Sequence, residues 1–423
     1  MEPSAKSEKN PAAYFYGWVL FFLNTIVVAY TSSLEALPSL LSSQLTLFYN
    51  TKISTITYIF SFYYYAFIIF QIPAALLIDK YRTNFFITIA PLITGLSACL
   101  LAQSHTLITA GITRFFMGIG SALAFLHAIK CIADWFPAKT FAFRFGLFIA
   151  IELVLTVAVS ALLNHLTLLL GWHQALIYFG IAGLILTCLV FLITRRFQQN
   201  YEAYFQDRPS SLKPLLRKLF DSSQMWVIGM SAGLSTGIIY AFLGRWAKPI
   251  FTLAYNLSAL HAMALVLIAN VGYVCGNLLF PYFSTLLKRR KTFIPCSLAI
   301  TIIMLVVIVY PPYFTIYLVA ICSFLLGFSI SAANLGYVII HEQNATQITA
   351  TAIASINIFY SIAIAAFDGL ITNFLRFETT ARGATQYSLQ DFESALFRLP
   401  IYFIFALIFS FFIRETHAEQ LTS

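Results

Sequence analysis

Residues 114–131 read RFFMGIGSALAFLHAIKC, a run apolar enough to lie in lipid that nevertheless carries Arg114, His127 and Lys130. A cation in hydrocarbon costs several kcal/mol unless it is paired or reaches water, so each of the three needs a reason to be there. The same composition continues on both sides. The chain of 423 residues is 60% hydrophobic, 17% aromatic and 10% charged, a balance that excludes a soluble globular domain. Apolar runs of about 20 residues, each long enough to cross a hydrocarbon core of ~30 Å as a helix, recur from residue 15 to residue 413. The ~10-residue alternating segments of a membrane barrel do not occur. The fold class is therefore an all-α polytopic membrane protein.

The runs predict twelve transmembrane helices near 17–42, 54–78, 84–103, 107–131, 143–166, 172–194, 224–248, 259–286, 293–310, 314–339, 350–373 and 397–413. The one long hydrophilic interruption falls at 195–223. It divides an N-terminal six-helix bundle, 1–194, from a C-terminal six-helix bundle, 224–423, with 195–223 as a cytoplasmic linker. Lys6 and Lys9 precede the first run as the n-region of a signal peptide would. That run is too long for an h-region and has no clear cleavage site, so it reads as a retained first helix.

Orientation follows from the Lys and Arg residues, which cytoplasmic loops retain. With the N-terminus inside, 17 of the 25 fall in cytoplasmic segments and four (Lys52, Arg376, Arg382, Arg398) in outer loops; Arg114, Lys130, Arg245 and Lys248 lie within spans or at their ends. Both termini are then cytoplasmic, in a bacterial inner membrane. The net charge of +9 is accounted for by topology and by an inner face suited to anionic lipid, with no nucleic acid needed. Trp18, Trp135, Trp172, Trp226 and Trp246 fall near predicted span ends and read as interfacial anchors. The six cysteines, all in or beside apolar runs and without a CxxC pair, read as reduced packing residues, with no disulfide or metal framework.

Five stretches resemble signatures of the major facilitator superfamily. QIPAALLIDKYRTNFF, 71–86, is similar to its loop signature between helices two and three, with Asp79-Lys80-Tyr81-Arg82-Thr83 for Asp-Arg-x-Gly-Arg. GNLLFPYFSTLLKRRK, 276–291, holds the equivalent place in the second half, keeping Gly276 and Arg289-Arg290-Lys291 but with Thr285 in place of the Asp. Arg114-x-x-x-Gly118-x-Gly120-x-Ala122 resembles the RxxxGxGxA of the fourth helix. Trp135-Phe136-Pro137 with Arg144 and Gly146 resembles the passage into helix five, and Gly171-Trp172-His173 the Gly-Trp-Arg that opens helix six. The resemblance implies two pseudo-repeats that alternate access around a central site lined by helices 1, 4, 7 and 10. Span five, FGLFIAIELVLTVAVSALL, lacks the GxxxGPxxG of many exporters, which weighs against a drug:proton antiporter.

The polar residues inside spans are the candidate sites. Arg114 shares a face, within about 40° on a helical wheel, with Gly118, Ser121, Phe125 and Ala128. Arg114, Gly118, Gly120, Asp79 and Arg82 are the transport and gating candidates; a structural Arg tied to carbonyls or to an acid on another helix is the alternative for Arg114. Glu35, among Thr31, Ser32, Ser33 and Pro38, heads the proton-coupling candidates, with Glu152, Asp368 and His127. Glu152 and Asp368 read equally as structural partners of an Arg. Lys130 reads as snorkelling to the interface. Substrate-binding candidates are Ser121, Phe125, Tyr240, Arg245, Trp246, Asn334 and Tyr337, Arg245 and Lys248 forming an electropositive mouth or an interfacial anchor. The Phe and Tyr residues, densest in FSFYYYAF, read as packing.

The reading is a proton-coupled secondary transporter that takes up a small polar or anionic metabolite: an amino acid, a nucleoside or a carboxylate. Trp246 and the YNLSALHAMA that follows resemble the phagosomal-transporter-like branch of bacterial importers, which carry amino acids or nucleosides. An exporter or importer of a carboxylate siderophore or drug-like compound, and a non-transporting membrane sensor, are the alternatives. No GxxxxGK[ST] loop for an ATP-driven pump and no clustered His or carboxylate motif of an enzyme occurs. No cofactor and no metal are expected. The expected partners are a small-molecule substrate, a proton and the bilayer, around a monomeric chain.

Overall fold

Apolar sequence in lipid can satisfy its backbone only within itself, which selects the helix over every open alternative. The computed structural model describes residues 11–81, 84–204, 212–310, 315–382 and 387–421, and among these no strand occurs. The spans are α1 (Tyr14–Ser33), α2 (Thr55–Tyr81), α3 (Phe85–Ala102), α4 (Leu107–Trp135), α5 (Ala138–Leu170), α6 (Trp172–Arg196), α7 (Ser223–Ala254), α8 (Ala259–Leu286), α9 (Phe293–Val309), α10 (Ile316–Gln343), α11 (Thr346–Ala381) and α12 (Leu389–Ser410). Eleven are long and apolar enough to cross a membrane, and α9 is a shorter apolar helix. Large hydrophobics such as Phe15, Leu47, Ile108, Leu168 and Tyr317 stand more than 60% exposed on the helix surfaces, a surface suited to lipid and untenable in water.

Local chemistry sets the joints. Thr106 and Ser258 cap α4 and α8 by accepting the N–H groups of Thr109 and His261. Pro137 stops the chain between α4 and α5, and Gly171, at φ +81°, ends α5 in a conformation that an L side chain resists. The last span begins at Leu389, ahead of the expected 397, because Ser388 and Asp391 form a capping box that starts the helix before the strongly apolar run. The first span departs more. The expected helix 17–42 breaks at a 3₁₀ turn, Leu34–Ala36, and resumes as Leu37–Phe48.

The chain forms two compact units. One comprises Met1–Arg217 with Ala345–Ala354, the other Lys218–Asn344 with Ser355–Ser423. Within the first, α2 and α3 pack on α4 and α3 packs on α6; within the second, α8 and α9 pack on α10 and α9 packs on α12. Shifting each helix number by six maps one set of pairs onto the other, so the repeat is visible in packing as well as in sequence.

Glycine brings the principal pairs together. A Cβ at Gly118 would lie 2.2 Å from the Tyr63 carbonyl oxygen of α2, and one at Gly120 would lie 2.2 Å from Oγ1 of Thr94 on α3. The GxG of the fourth-helix motif is therefore the double seam on which α2 and α3 sit. In the second unit Gly327 of α10 would meet the Ala269 carbonyl of α8 at 1.8 Å. These close backbone approaches are the membrane form of small-residue packing.

The tryptophan expectation needs correcting. Trp135, Trp172 and Trp246 are buried at 2%, 6% and 6% exposure, and Trp226, at 55%, keeps an exposed position. Trp135 packs edge-on to Tyr16 with centroids 5.0 Å apart, and Trp172 lies under Phe48 at 5.1 Å. Ring area spent on aromatic neighbours stabilises these helix ends from within the protein.

Overpacking at the seams tests this account. Gly118→Val and Gly327→Val should each lower stability by about 1–3 kcal/mol or more, read as a fall in thermal midpoint of the purified protein in detergent. Gly244→Ala, where no atom lies within 4 Å, should leave the midpoint within error; equal losses at all three would refute the seam assignment.

Candidate functional site

The break in the first helix has a chemical cause. Pro38 has no N–H to give the Leu34 carbonyl four residues back. That oxygen instead accepts from the Leu37 N–H in a tighter turn and keeps a lone pair for another helix. Thr31 and Ser33 add to the distortion by returning their hydroxyls to Val28 O and Tyr30 O of their own helix, at 3.0 and 2.7 Å.

Arg114 of α4 meets this break. Its side chain is fully buried; Nη1 donates to Leu34 O at 2.8 Å and lies 3.6 Å from Met117 Sδ. The guanidinium lies over the rings of Phe60 and Tyr63, each centroid 4.9 Å away, a cation–π arrangement strengthened by the exclusion of water. Ser121, about two turns along the same face, donates to Thr31 O at 3.2 Å. Nε and Nη2 of Arg114 are buried and have no hydrogen-bond partner among the described residues. These two nitrogens form one edge of the guanidinium, the edge that grips a carboxylate with two parallel bonds.

The acids lie around this centre without closing on it. Glu35, half-buried in the 3₁₀ turn, accepts from the Tyr64 hydroxyl at 2.8 Å. Glu152 of α5 accepts from Thr156 at 2.8 Å. Asp368 belongs to the second unit, where Arg245 is its cation.

His127 is buried with Nδ1 2.8 Å from Asn24 Oδ1. Asn24 spends its amide nitrogen on Leu20 O, so its oxygen faces the ring and Nδ1 is the donor. Lys130 does not snorkel: it is 2% exposed, and Nζ donates to Thr346 O at 2.7 Å and Gln347 O at 3.3 Å while lying 3.4 Å from Asp79 and 3.2 Å from Asp134. Asp79, fully buried, accepts the N–H groups of Ala350 and Thr351 and the Thr351 hydroxyl, at 3.1, 2.8 and 2.7 Å. A carboxylate on the first N–H groups of α11 is a stabilising match for the helix dipole. The loop signature thus works on a segment more than 260 residues away. Arg82 lies outside the described residues.

In the second unit α7 carries two π segments, Gly229–Gly233 and Phe242–Trp246, and α10 a 3₁₀ turn, Ser331–Asn334. Three of the four helices expected to line a site, 1, 7 and 10, therefore interrupt their regular ladder within the span, a departure that recurs at functional positions. Asn334, at the α10 turn, donates to the Tyr273 hydroxyl at 2.7 Å and to Asn277 Oδ1 at 2.8 Å. Tyr337 donates to Asn357 Oδ1 at 2.9 Å. Tyr240 packs against Tyr360 at 5.8 Å, and Phe125, in the first unit, against Phe148 at 6.1 Å.

Sequence reasoning missed a buried ion pair. Arg290 is fully buried, with Nε at 3.2 Å and Nη2 at 2.9 Å from Glu342 Oε1, and Nη1 donates to Ser284 and Thr285 at 2.7 and 2.8 Å. The threonine in place of the loop aspartate thus still serves the cation of its own repeat. Glu342 also accepts from Thr416, beyond the last helix. Nothing in the local sequence links three segments so far apart.

The Major Facilitator Superfamily sequence model matches residues 15–367. Among curated relatives, the chain is 26% identical over 387 residues to a probable L-galactonate transporter of Escherichia coli (strain K12), covering 84% of this chain and 82% of that one. It is 27% identical over 253 residues to the uncharacterized transporter YybO of Bacillus subtilis (strain 168), covering 53% and 56%. It is 30% identical over 138 residues to the probable galactarate/D-glucarate transporter GarP of Escherichia coli (strain K12), covering 31% of each. The chain thus spans about half of YybO and a third of GarP. Among solved structures, the proton:xylose symporter XylE has a TM-score of 0.73 at 15% identity, covering 97% of this chain and 98% of that one. FucP, in the outward conformation, has 0.67 at 14%, covering 95% and 99%. These two likenesses are likenesses of fold.

Removing one partner of the buried pair should strand the other charge. Glu342→Gln should cost roughly 3–5 kcal/mol, seen as a lowered thermal midpoint. The double change Arg290→Met with Glu342→Leu should regain most of the loss, and a double variant no more stable than Glu342→Gln would contradict the pairing.

Proposed function

The chain belongs to the Major Facilitator Superfamily, whose members are transporters and not enzymes, and on that footing we propose that it takes up a small hydroxy-carboxylate anion together with protons across the bacterial inner membrane. The observation that carries this reading is the open edge of Arg114. Arg290 shows within the same molecule what that edge does with a carboxylate: Nε and Nη2 hold Glu342. At Arg114 the same two nitrogens are buried and, among the described residues, without a hydrogen-bond partner. Leaving them so costs stability, of order 1–3 kcal/mol per buried group, which an arriving carboxylate offsets. A site built this way favours anions over neutral sugars of the same shape.

The names of the relatives agree in chemistry. Galactarate, D-glucarate and L-galactonate are polyhydroxylated acids. Arg114 supplies the charge for the carboxylate, with Ser121 and Phe125 on the same helix face. Within the second unit, taken by itself, Asn334 and Tyr337 with Tyr273, Asn277 and Asn357 form a group of amides and hydroxyls, a chemistry that suits a polyol. The Lys and Arg bias supports cytoplasmic termini, and uptake along a proton gradient then runs from the face opposite the basic joints.

Glu35 couples the proton in this proposal. It follows Leu34, whose carbonyl holds Arg114, and its own carboxylate rests on Tyr64. An anion on Arg114 adds negative charge beside Glu35, and taking up a proton there offsets it; release of one then favours release of the other. Glu152, His127 and Asp79 are supporting groups, each already engaged by partners within its unit.

Uptake of D-galactarate, D-glucarate and L-galactonate into proteoliposomes tests the reading. Arg114→Lys, which keeps the charge but loses the planar edge, should fold and yet lose roughly tenfold or more of the uptake. Glu35→Gln should abolish gradient-driven accumulation while leaving substrate exchange. Normal uptake by Arg114→Lys, or normal accumulation by Glu35→Gln, refutes the corresponding role.

A further inference from the structure

The second unit holds a cation that the reading above leaves unused. Gly229, Gly233 and Gly237 of α7 press against α11, where a Cβ would come within 2.4 Å of the Phe359 ring, 2.8 Å of Ile356 O and 2.3 Å of Tyr360 O. Seven residues farther along α7 the character changes. Gly244 is exposed with no atom within 4 Å of a Cβ position, and so is Gly369 on α11. Arg245 and Trp246 follow the first of these positions in sequence, and Asp368 precedes the second.

The three side chains form a graded set. Trp246 Nε1 donates to Asp368 Oδ1 at 2.9 Å, a well-made bond between buried and half-buried groups. Arg245 Nη1 is 3.7 Å from Asp368 Oδ2, a loose pair with side-chain exposures of 41% and 25%. The Arg245 guanidinium also lies 5.1 Å from the Trp246 ring centroid. A π turn, Phe242–Trp246, fits an extra residue into this part of α7, so the consecutive residues Arg245 and Trp246 both reach the one carboxylate. Lys248, exposed one turn on, adds a second cation, so the cluster keeps a net positive charge with Asp368 ionised.

Resting on the organic-anion reading, we propose that Arg245 is the cation of a second, peripheral anion site, at which an arriving carboxylate takes the place of Asp368 on Arg245. The exchange is possible because the two bonds of Asp368 differ. The tight bond to Trp246 keeps the displaced carboxylate in position, while the loose pair to Arg245, partly in solvent, gains little and yields readily. A fully buried pair such as Arg290–Glu342 has no such freedom. The site gathers anions at this stretch of α7 and returns Arg245 to Asp368 when the anion leaves, so that no bare charge is left between cycles. Its effect is on capture, through local concentration and arrival rate.

Charge-selective labelling tests this without requiring the transported substrate. Gly244→Cys places a thiol beside Arg245 where there is room for it, and the unsubstituted protein, with its own cysteines, supplies the background. Membrane-impermeant methanethiosulfonates, one anionic (sulfonatoethyl) and one cationic (trimethylammonioethyl), are added to sealed cells from outside. The anionic-to-cationic rate ratio, normalised to a free thiol, should exceed one. It should fall about tenfold in Gly244→Cys/Arg245→Gln, as expected for removing a unit charge at a half-exposed site, and rise in Gly244→Cys/Asp368→Asn. D-Glucarate or sulfate should slow the anionic reagent in the first protein and not in the Arg245→Gln one. A ratio that ignores Arg245, absence of anion protection, or no labelling from outside each overturns the proposal. Gly369→Cys, on the opposite helix, repeats the assay should the first thiol variant fold poorly. The two readings fail separately: a wild type that takes up no hydroxy acid sinks the organic-anion assignment while the labelling ratio still decides the site, and Arg114-dependent uptake with an unresponsive ratio sinks the site alone.

Discussion

A guanidinium cut off from water must be solvated by protein, and in the first unit the helix break at Leu34–Ala36 supplies that solvation. Regular helices offer little to a neighbouring cation because each carbonyl already accepts one bond within the helix. Pro38 removes one donor, the turn tightens, and Leu34 O becomes available to Arg114. Phe60 and Tyr63 cover the flat faces of the cation. What remains uncovered is one edge, so the geometry that makes Arg114 tolerable in an apolar bundle also leaves it directional. Moving the proline or regularising the helix would remove the carbonyl and turn a held cation into an unsupported one.

The two repeats treat their charges in opposite ways. In the second, Arg290 is closed on all sides by Glu342, Ser284 and Thr285, with Thr416 bonded to the same carboxylate, which suits a rigid support. In the first the polarity is reversed: the loop contributes the acid, Asp79, and the fourth helix the cation, Lys130, shared among Asp79, Asp134 and two carbonyls of the segment that opens α11. Lysine suits such a site, since a compact ammonium with three rotatable donors accommodates acceptors from several directions, whereas arginine favours one planar partner. Each cation thus matches the geometry of its cage.

Much of the architecture was legible because it depends on local order. Span length, the Lys and Arg bias and the spacing of Gly118 and Gly120 are properties of short windows. The two glycines prove to be the α2 and α3 seams that the motif's spacing requires. Gly171 likewise sits where a positive φ ends α5. Partnerships were not legible. Lys130 looked like a snorkelling residue because its carbonyls lie at 346 and 347; Trp135 and Trp172 looked like interfacial anchors because the rings that bury them come from other helices. The first-helix break was half-visible: Pro38 was noted as permitting a kink, but its effect falls on a carbonyl four residues earlier, and the beneficiary is eighty positions away.

The same distinction explains why the candidate acids could not be sorted by type. Glu35, Glu152 and Asp368 are each a single carboxylate in an apolar run, and sequence gives them equal standing. Structure separates them by what they touch: a tyrosine at the helix break, a hydroxyl one turn along the same helix, and an indole with a loosely held arginine. Only a carboxylate whose partners can be exchanged or outcompeted is useful in a cycle, because binding must be reversible at every step. Glu35 and Asp368 meet that condition by different means, one by adjoining an unfilled cation edge and the other by holding its cation weakly. Asp79, bound by two backbone N–H groups and a hydroxyl in full burial, does not; its charge holds the start of α11 in place, and the more readily exchanged contacts lie elsewhere.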